Sequence, residues 1–190
     1  MITGVEIKRK IVHLATLILP VGYALSSEET VILFLVPFFL ALLLVDFVRH
    51  FHSGMASLFE KYFFRRVLRE EEKFTFMGST YFIFSTILTI LLFPKSIAIV
   101  SLLILILSDT AAAIIGKWRG RVRMFGKTLE GSLAFLITSL LIVWIYPNLN
   151  RSLGSLAALG ATVIELLPIK VNDNLTIPLV AGAILFFGVG

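Results

Sequence analysis

The sequence contains no cysteine and few charged residues. Without cysteine the chain forms no disulfide, no thiolate nucleophile and no cysteine-based zinc site. Charged residues make up 15% of the chain, against about 25% in ordinary soluble domains, while hydrophobic residues make up 58%. A soluble domain of 190 residues could not bury that much apolar surface, because much of any folded surface must still face water. The composition therefore predicts an integral membrane protein.

Seven apolar stretches of roughly 16–20 residues are each long enough to cross about 30 Å of hydrocarbon. They lie near residues 11–27, 30–48, 76–93, 95–115, 131–147, 152–168 and 175–190. Turn-forming or charged residues separate them. The pattern predicts an all-α, polytopic membrane helix bundle of about seven transmembrane helices, formed by residues 1–190 as a single domain.

The positive charge is distributed unevenly over the two sides of this bundle. A net charge of +5 would suggest nucleic acid in a soluble protein, but in a membrane protein basic residues flank and orient the spans, so we expect no nucleic acid partner. Fifteen of the 17 Lys and Arg residues fall on one side, and only Lys95 and Arg151 fall on the other. Basic loops stay in the cytoplasm. We therefore expect a cytoplasmic N-terminus, with the cell membrane as the location in a prokaryote.

The segment 49–77 is expected to be more than a connector. Apolar residues recur in it at helical spacing among basic ones, namely Met55, Leu58, Phe59, Tyr62, Phe63 and Val67. This pattern predicts an amphipathic helix that lies in the membrane interface. A membrane anchor and a gate for substrate are both compatible with it.

The densest group of chemically active residue types lies between Ser108 and Gly131. Asp109 is an acid inside an apolar span, where a carboxylate costs a few kcal/mol to insert and usually has a partner or a function. Gly116 and Gly120 permit close approach of a helix or a ligand. The basic residues that follow suit phosphate, which Arg and Lys bind through charge-assisted hydrogen bonds; they are Arg119, Arg121, Arg123 and Lys127.

Glu130 adds a second carboxylate to this block. Two carboxylates can hold a hard cation that bridges phosphate oxygens, so Asp109 and Glu130 are candidate Mg²⁺ ligands. A P-loop is excluded, because five residues rather than four separate Gly120 from Gly126 and no strand precedes the segment. A positively charged cytoplasmic loop with Thr128 as a helix N-cap, and no ligand, is the alternative.

Further polar residues are expected at the same cytoplasmic side. Glu165 lies in an apolar run and should face the bundle interior. Asp173 and Asn174 lie in a turn, which could be their whole role. The remaining candidates are helix-end charges, a buried histidine and a tyrosine that packs or reaches polar groups, namely Glu6, Lys10, His13 and Tyr81.

At these residues the chain resembles the CTP-dependent lipid-alcohol kinases, a family that includes dolichol kinase, phytol kinase and the fungal CTP-dependent diacylglycerol kinase. The segments that carry the resemblance are Glu6 to His13, Ser108-Asp109-Thr110 to Gly120, Lys127-Thr128-Leu129-Glu130-Gly131, and Glu165 with Asp173-Asn174-Leu175-Thr176-Ile177-Pro178. The central block is also similar, more loosely, to the CDP-diacylglycerol synthases.

The resemblance implies transfer of the γ-phosphoryl group from CTP to the hydroxyl of a membrane lipid alcohol, with Mg²⁺ or another divalent cation. It implies that Lys127, Thr128 and Glu130 belong to the CTP site and that Asp109 helps to bind the nucleotide or its metal. We predict catalytic roles for Asp109, Lys127, Glu165 and Asp173, with Glu165 or Asp173 accepting the hydroxyl proton. The implied nucleotide-binding residues are Ser108, Thr110, Gly116, Arg119, Gly120, Arg121, Arg123, Lys127, Thr128, Glu130, Gly131 and Asn174. The acceptor could be a polyprenol or dolichol, phytol, or diacylglycerol.

Two other functions remain open at the level of the sequence. A membrane cytidylyltransferase would make a CDP-lipid and release pyrophosphate. A small ion transporter or channel would use Asp109 and Glu165 to pass ions, although both acids cluster near one face. The oligomeric state is also open, with a homodimer as one option.

Overall fold

The structure, a computed structural model, describes residues 4–51, 75–169 and 171–187, with side chains from residue 9 onward. The expected amphipathic helix within 49–77 lies mostly outside the described residues, as do the side chain of Glu6 and the whole of Lys170. Apart from one short hairpin, the described elements are helices. The all-α class is confirmed for this part of the chain.

In the described part of the chain, eight helices occupy the positions of the seven predicted stretches. They are α1 (Gly4–Ala15), α2 (Ile18–Leu25), α3 (Glu28–Phe51), α4 (Gly78–Leu92), α5 (Lys95–Arg119), α6 (Leu129–Ile145), α7 (Arg151–Leu166) and α8 (Asp173–Phe187). The predicted breaks between stretches coincide with the loops, because Gly, Pro, Asn and charged residues interrupt the apolar runs there.

The first stretch was predicted as one continuous span, but it is interrupted in the structure. Helix α1 ends at Ala15 and α2 begins at Ile18, so residues 11–27 contain a break. Pro20 has no N–H to donate to the carbonyl of Thr16, and its ring crowds that carbonyl. The Thr16 hydroxyl bonds back to the His13 carbonyl at 2.5 Å. A proline and a back-bonding threonine thus account for the break.

Within the described ranges, two helices are long and apolar enough to cross a membrane, α3 and α5. Helices α4, α6 and α8 are apolar but shorter. The two long helices differ in environment, because 11% of the most apolar part of α3 is buried against 67% for α5. Helix α5 is therefore central and α3 peripheral, while the number of membrane crossings stays a prediction.

The core surrounds the middle of α5. Its π-helical turn, Ile104–Ser108, includes the fully buried Ile104, Leu105 and Ile106. Side chains of two further helices pack around it, namely Phe135 of α6 and Ile177 and Ala181 of α8, and Ala157 and Ala161 of α7 belong to the same core. A π turn shifts the register of the following residues and often occurs at functional sites. Here the residue that follows it is Asp109.

Helices α5 and α6 approach each other closely where α5 ends and α6 begins. A Cβ added to Gly116 would lie 2.6 Å from Thr128 Oγ1, and one added to Gly131 would lie 2.9 Å from the Ala112 carbonyl oxygen. Such distances leave no room for a side chain. The glycines of this block therefore permit helix packing.

A two-stranded hairpin lies between these helices, which the all-α prediction did not include. Strand β1 (Arg123–Met124) pairs antiparallel with β2 (Lys127–Thr128). The connecting residues Phe125 and Gly126 have φ of 51° and 85°, as a tight type I′-like turn requires. The strand before Lys127 thus belongs to a hairpin and not to a parallel sheet, so the P-loop remains excluded.

Candidate active site

Asp109 forms an ion pair with Lys10 on the first helix. Lys10 Nζ donates to Asp109 Oδ2 at 2.5 Å and to the Asp109 carbonyl oxygen at 3.2 Å. The Lys10 side chain is 10% exposed and that of Asp109 is 28% exposed. An acid in an apolar helix is costly without a partner. The structure therefore joins two of the predicted candidates and explains how the bundle accommodates Asp109.

His13 lies next to this pair. Its Nε2 atom is 3.6 Å from Asp109 Oδ2, which is too far for a hydrogen bond. Its ring packs edge-on against Phe82 of α4, with centroids 5.8 Å apart. His13 thus links α1 to α4 beside the Asp109 carboxylate.

A second cluster is centred on Lys127, directly after the hairpin turn. Lys127 Nζ lies 2.8 Å from Asp173 Oδ2 and 3.3 Å from Glu165 Oε1, and it also donates to the Glu165 carbonyl. The tight turn directs this side chain from β2 toward the end of α7 and the start of α8. One cation therefore holds two acids that are far apart in sequence.

The two acids of this cluster differ in accessibility. The Glu165 side chain is 7% exposed, and its Oε2 accepts a hydrogen bond from Ser132 at 2.8 Å. The Asp173 side chain is 35% exposed and lies in the first turn of α8. Glu165 is thus fixed in the interior, whereas Asp173 is open to a substrate.

Helix α4 connects the two clusters. Asn174 Nδ2 donates to the Gly78 carbonyl at 2.9 Å, and the Ser85 hydroxyl donates to the Asn174 carbonyl at 2.6 Å. Because Phe82, one turn from Ser85, touches His13, a continuous set of contacts runs from Asp109 to Asp173. Asn174 thereby joins α8 to α4.

Glu130 has a different environment. Its Oε1 accepts hydrogen bonds from the backbone N–H groups of Arg121 at 2.9 Å and Val122 at 3.3 Å. Hydrogen bonds from its own backbone N–H and from that of Arg121 lower the pKa of the Glu130 carboxyl below its ordinary value. Glu130 therefore fixes the loop after α5 in the structure.

Some of the other predicted site residues form hydrogen bonds within the bundle, and others are exposed. The Ser108 hydroxyl accepts from Ser139, the Thr110 hydroxyl donates to the Ile106 carbonyl, and Thr128 caps α6 by accepting from the Gly131 N–H. Arg119, Arg121 and Arg123 are exposed, and Arg119 stacks on Trp118. Tyr81 packs edge-on against Phe76. The three arginines follow one another from the end of α5 to strand β1, in the segment that precedes Lys127.

A buried ion pair on α3 was not among the predicted site residues. Arg49 Nη2 lies 3.1 Å from Asp46 Oδ1, and Asp46 Oδ2 accepts from the Thr80 hydroxyl and the Met77 N–H. The Asp46 side chain has no exposed surface. The sequence did indicate Asp46 as a candidate, because it is an acid within the predicted span 30–48. Ser132 was also missed, since a lone serine in an apolar helix carries no distinctive pattern.

These residues fit a divalent cation that is bound together with substrate phosphates. Among the described side chains, no three His, Asp or Glu residues form a group that could hold a metal ion. Glu130 is engaged by backbone N–H groups, whereas Asp109 lies beside Lys10. Mg²⁺, however, is commonly bound by one or two carboxylates together with substrate phosphates. The described residues therefore suit a cation that arrives with a nucleotide.

Comparison with known proteins gives relatives of two kinds. The chain is 34% identical to an uncharacterized protein of Rickettsia prowazekii (strain Madrid E) over 92% of this chain and 90% of that protein. It is 27% identical to a probable chloroplastic phytol kinase of Glycine max over 95% of this chain and 66% of that protein. It is 28% identical to CTP-dependent diacylglycerol kinase 1 of Saccharomyces cerevisiae over 60% of this chain and 49% of that protein.

The two named kinases are longer than the region they share with this chain, which spans about half of one and two thirds of the other. No family model matches the chain, and no solved structure matches it.

Proposed function

Since the chain is a distant member of the family of CTP-dependent lipid kinases, we propose that it transfers the γ-phosphoryl group of CTP to the hydroxyl of a membrane lipid alcohol. The acceptor class includes polyprenols and dolichols, phytol and diacylglycerol. The reaction takes place on the cytoplasmic side, at the Lys127 cluster, with Asp109 connected to that cluster through α4.

The observation that carries this proposal is the position of Lys127 between Glu165 and Asp173. Phosphoryl transfer needs fixed positive charge next to the transferring group and an acceptor for the alcohol proton. The cluster places both kinds of group at the junction of α7, α8 and the hairpin. Arg119, Arg121 and Arg123 supply further charge for the remaining phosphates.

In the proposed reaction the alcohol oxygen forms a bond to the γ-phosphorus while the bond from that phosphorus to the β-phosphate oxygen breaks, releasing CDP. The hydroxyl proton passes to a carboxylate. Asp173 suits this role better than Glu165, because Asp173 is 35% exposed and Glu165 is held by Ser132 in the interior. Glu165 is then a positioning residue for Lys127.

The divalent cation would neutralise charge on the phosphates, with Asp109 as its protein ligand. That carboxylate is paired with Lys10, and 28% of the Asp109 side chain is exposed. Glu130 acts differently in this proposal, because its hydrogen bonds to Arg121 and Val122 hold the basic loop in place.

Purified protein in liposomes, supplied with γ-labelled CTP and a panel of lipid alcohols, tests the proposal. Label should appear in a lipid phosphate, CDP should be released, and CTP should work far better than ATP. Lys127→Ala should lower kcat/KM for CTP by about 10²-fold. Lys95→Ala is the matched control, because Lys95 lies at the opposite end of the bundle and contacts Ser26 and Tyr23.

Two outcomes would replace the proposal. Release of pyrophosphate with formation of a CDP-lipid would identify a cytidylyltransferase. Ion flux into liposomes without any nucleotide, lost in Asp109→Asn and Glu165→Gln, would identify a transporter or channel.

A further inference from the structure

A groove runs along the line where α3 meets α4. One cavity of about 340 Å³ is lined by Asp46, Phe47, His50, Phe51, Thr75, Phe76 and Tyr81. A second of about 220 Å³ lies beside it, lined by Phe39, Leu43, Phe76, Thr80, Tyr81, Phe84 and Leu175. Phe76 and Tyr81 line both cavities. We call the two cavities together the α3–α4 groove.

The groove changes in character along its length. Its deeper part is apolar and rich in aromatic rings, with Phe39 stacked on Phe84 at 5.3 Å between centroids. Its other end, near the last turn of α3, contains Asp46, His50 and Thr75. An apolar slot with polar groups at one end is suited to an amphipathic ligand that has a long hydrocarbon part and a small polar head.

The groove also adjoins the proposed reaction centre. Leu175 lines its deeper part and lies two residues after Asp173 on α8. The bonds from Asn174 to Gly78 and from Ser85 to Asn174 hold that end of α8 against α4. Gly78 lies between Phe76 and Tyr81 in the sequence, so the polar end of the groove and the start of α8 lie at the same end of the bundle. A chain that occupied the slot with its tail in the apolar part would have its head group at that end.

The position of α3 gives such a ligand a route of entry. The helix is peripheral, since 11% of its most apolar part is buried, and large apolar side chains such as Leu33 and Leu40 are exposed. Within a bilayer those side chains face lipid tails. A hydrocarbon chain can then pass from the bilayer into the groove without crossing water.

We propose that the α3–α4 groove binds the hydrocarbon chain of the lipid alcohol and presents its hydroxyl to Asp173. The chemical identity of the ligand rests on the proposed function, whereas the location of the site rests on the cavities and on their contact with α8. Tyr81, which lines both cavities, and Leu43 together set the width available to the chain.

The first test fills the slot with a larger side chain. Leu43→Trp places an indole in the deeper cavity, and Leu44→Trp is its control, because Leu44 is the neighbouring residue on the same helix and is 64% exposed. With phytol as acceptor we expect Leu43→Trp to lower kcat/KM for phytol by about tenfold or more. The KM for CTP and the thermal stability in detergent should stay unchanged, and Leu44→Trp should behave as wild type.

The second test needs no catalysis, so it separates failure of the groove from failure of the proposed function. A phytol analogue with a photoreactive diazirine at the tail end is cross-linked to the wild-type protein without nucleotide. Label should appear on peptides of α3 and α4 and should be competed by unlabelled phytol. Leu43→Trp should reduce this labelling, and Leu44→Trp should not.

Four results would overturn the site. They are labelling that is equal in the two variants, label confined to other helices, competition by phosphatidylglycerol as strong as by phytol, and a change in particle mass with Leu43→Trp. The third would show an unspecific lipid contact, and the fourth an interface between copies of the chain. Specific labelling without kinase activity would support the groove and reject the proposed reaction.

Discussion

At the scale of single residues, each of the four carboxylates that lie within the helical bundle has a basic partner. Asp46 pairs with Arg49, Asp109 with Lys10, and both Glu165 and Asp173 with Lys127. Removing one partner of a buried pair leaves an uncompensated charge, which costs about 3–5 kcal/mol. These pairs explain how acids are tolerated among apolar helices. A double substitution that removes both charges of a pair can therefore separate an effect on stability from an effect on activity.

Asp109→Asn should lower the rate of phosphoryl transfer by orders of magnitude, because it removes the carboxylate assigned to the cation. It should also destabilise the protein, since the Lys10 ammonium loses its partner. The expected loss is about 2–3 kcal/mol, less than for a fully buried pair, because the Asp109 side chain is 28% exposed. Initial rates and thermal unfolding in detergent measure the two effects.

The double variant Lys10→Met with Asp109→Asn distinguishes the two roles of Asp109. Removing both charges should recover most of the stability but none of the activity. A double variant with near-normal turnover would show that Asp109 serves only to pair with Lys10, and the proposed site would be wrong.

Asp46→Asn should destabilise the protein more than Asp109→Asn does, by about 3–5 kcal/mol. The side chains of Asp46 and Arg49 are 0% and 3% exposed, so the remaining guanidinium could not be hydrated. Adding Arg49→Met to Asp46→Asn should recover much of the loss. Thermal unfolding of the three proteins gives the comparison, and an Asp46→Asn variant as stable as wild type would contradict the prediction.

At the scale of elements, the helices could be predicted because each is an apolar run bounded by turn residues. The break in the first stretch could not be predicted from Pro20 alone. Pro37 and Pro178 lie inside α3 and α8, which continue through them. A proline is tolerated where neighbouring groups satisfy the freed carbonyl, and that depends on packing that the sequence does not display.

The sequence also could not predict which site residues pair with each other. Lys10 and Asp109 are 99 residues apart, and Lys127 and Glu165 are 38 apart. Intramembrane acids can be recognised by their cost, but which cation each one meets depends on helix packing. The hairpin illustrates the same limit, because its two-residue strands are too short to show the alternation by which strands are recognised.

Gly116→Ala should force α5 and α6 apart. The added Cβ would lie 2.6 Å from Thr128 Oγ1 and 3.5 Å from the Gly131 Cα, so the N-cap of α6 would have to move. We expect a loss of about 1–3 kcal/mol in stability and a lower activity, because Lys127 is the residue before Thr128. Thermal unfolding and the KM for CTP measure these effects.

Gly22→Ala is the matched control for Gly116→Ala. It lies within α2, where an added Cβ would meet nothing within 4 Å. Alanine favours a helix over glycine by roughly 0.5–1 kcal/mol. Gly22→Ala should therefore be neutral or slightly stabilising. Equal losses in the two variants would show that close packing at Gly116 is not the cause.

At the scale of the whole molecule, the site residues come from alternating ends of successive helices. Asp46 and Arg49 lie at the end of α3, and Gly78 at the start of α4. Thr128 precedes α6, Glu165 lies at the end of α7, and Asp173 begins α8. Antiparallel succession of the helices brings all these ends to one face. The same face contains the segments that the distribution of Lys and Arg predicts to be cytoplasmic.

The orientation of the chain in the membrane follows from this arrangement and is the last prediction. Reporter fusions near Lys73 and Arg123 should be cytoplasmic, because basic segments resist translocation. Fusions after Ser27, Lys95 and Arg151 should lie on the other side, where Lys95 and Arg151 are the only two basic residues. A cytoplasmic signal after Arg151 would place the α6–α7 loop on the same side as Lys127. The hairpin and Glu165 could then not share one face with the start of α8, and the proposed site would have to be abandoned.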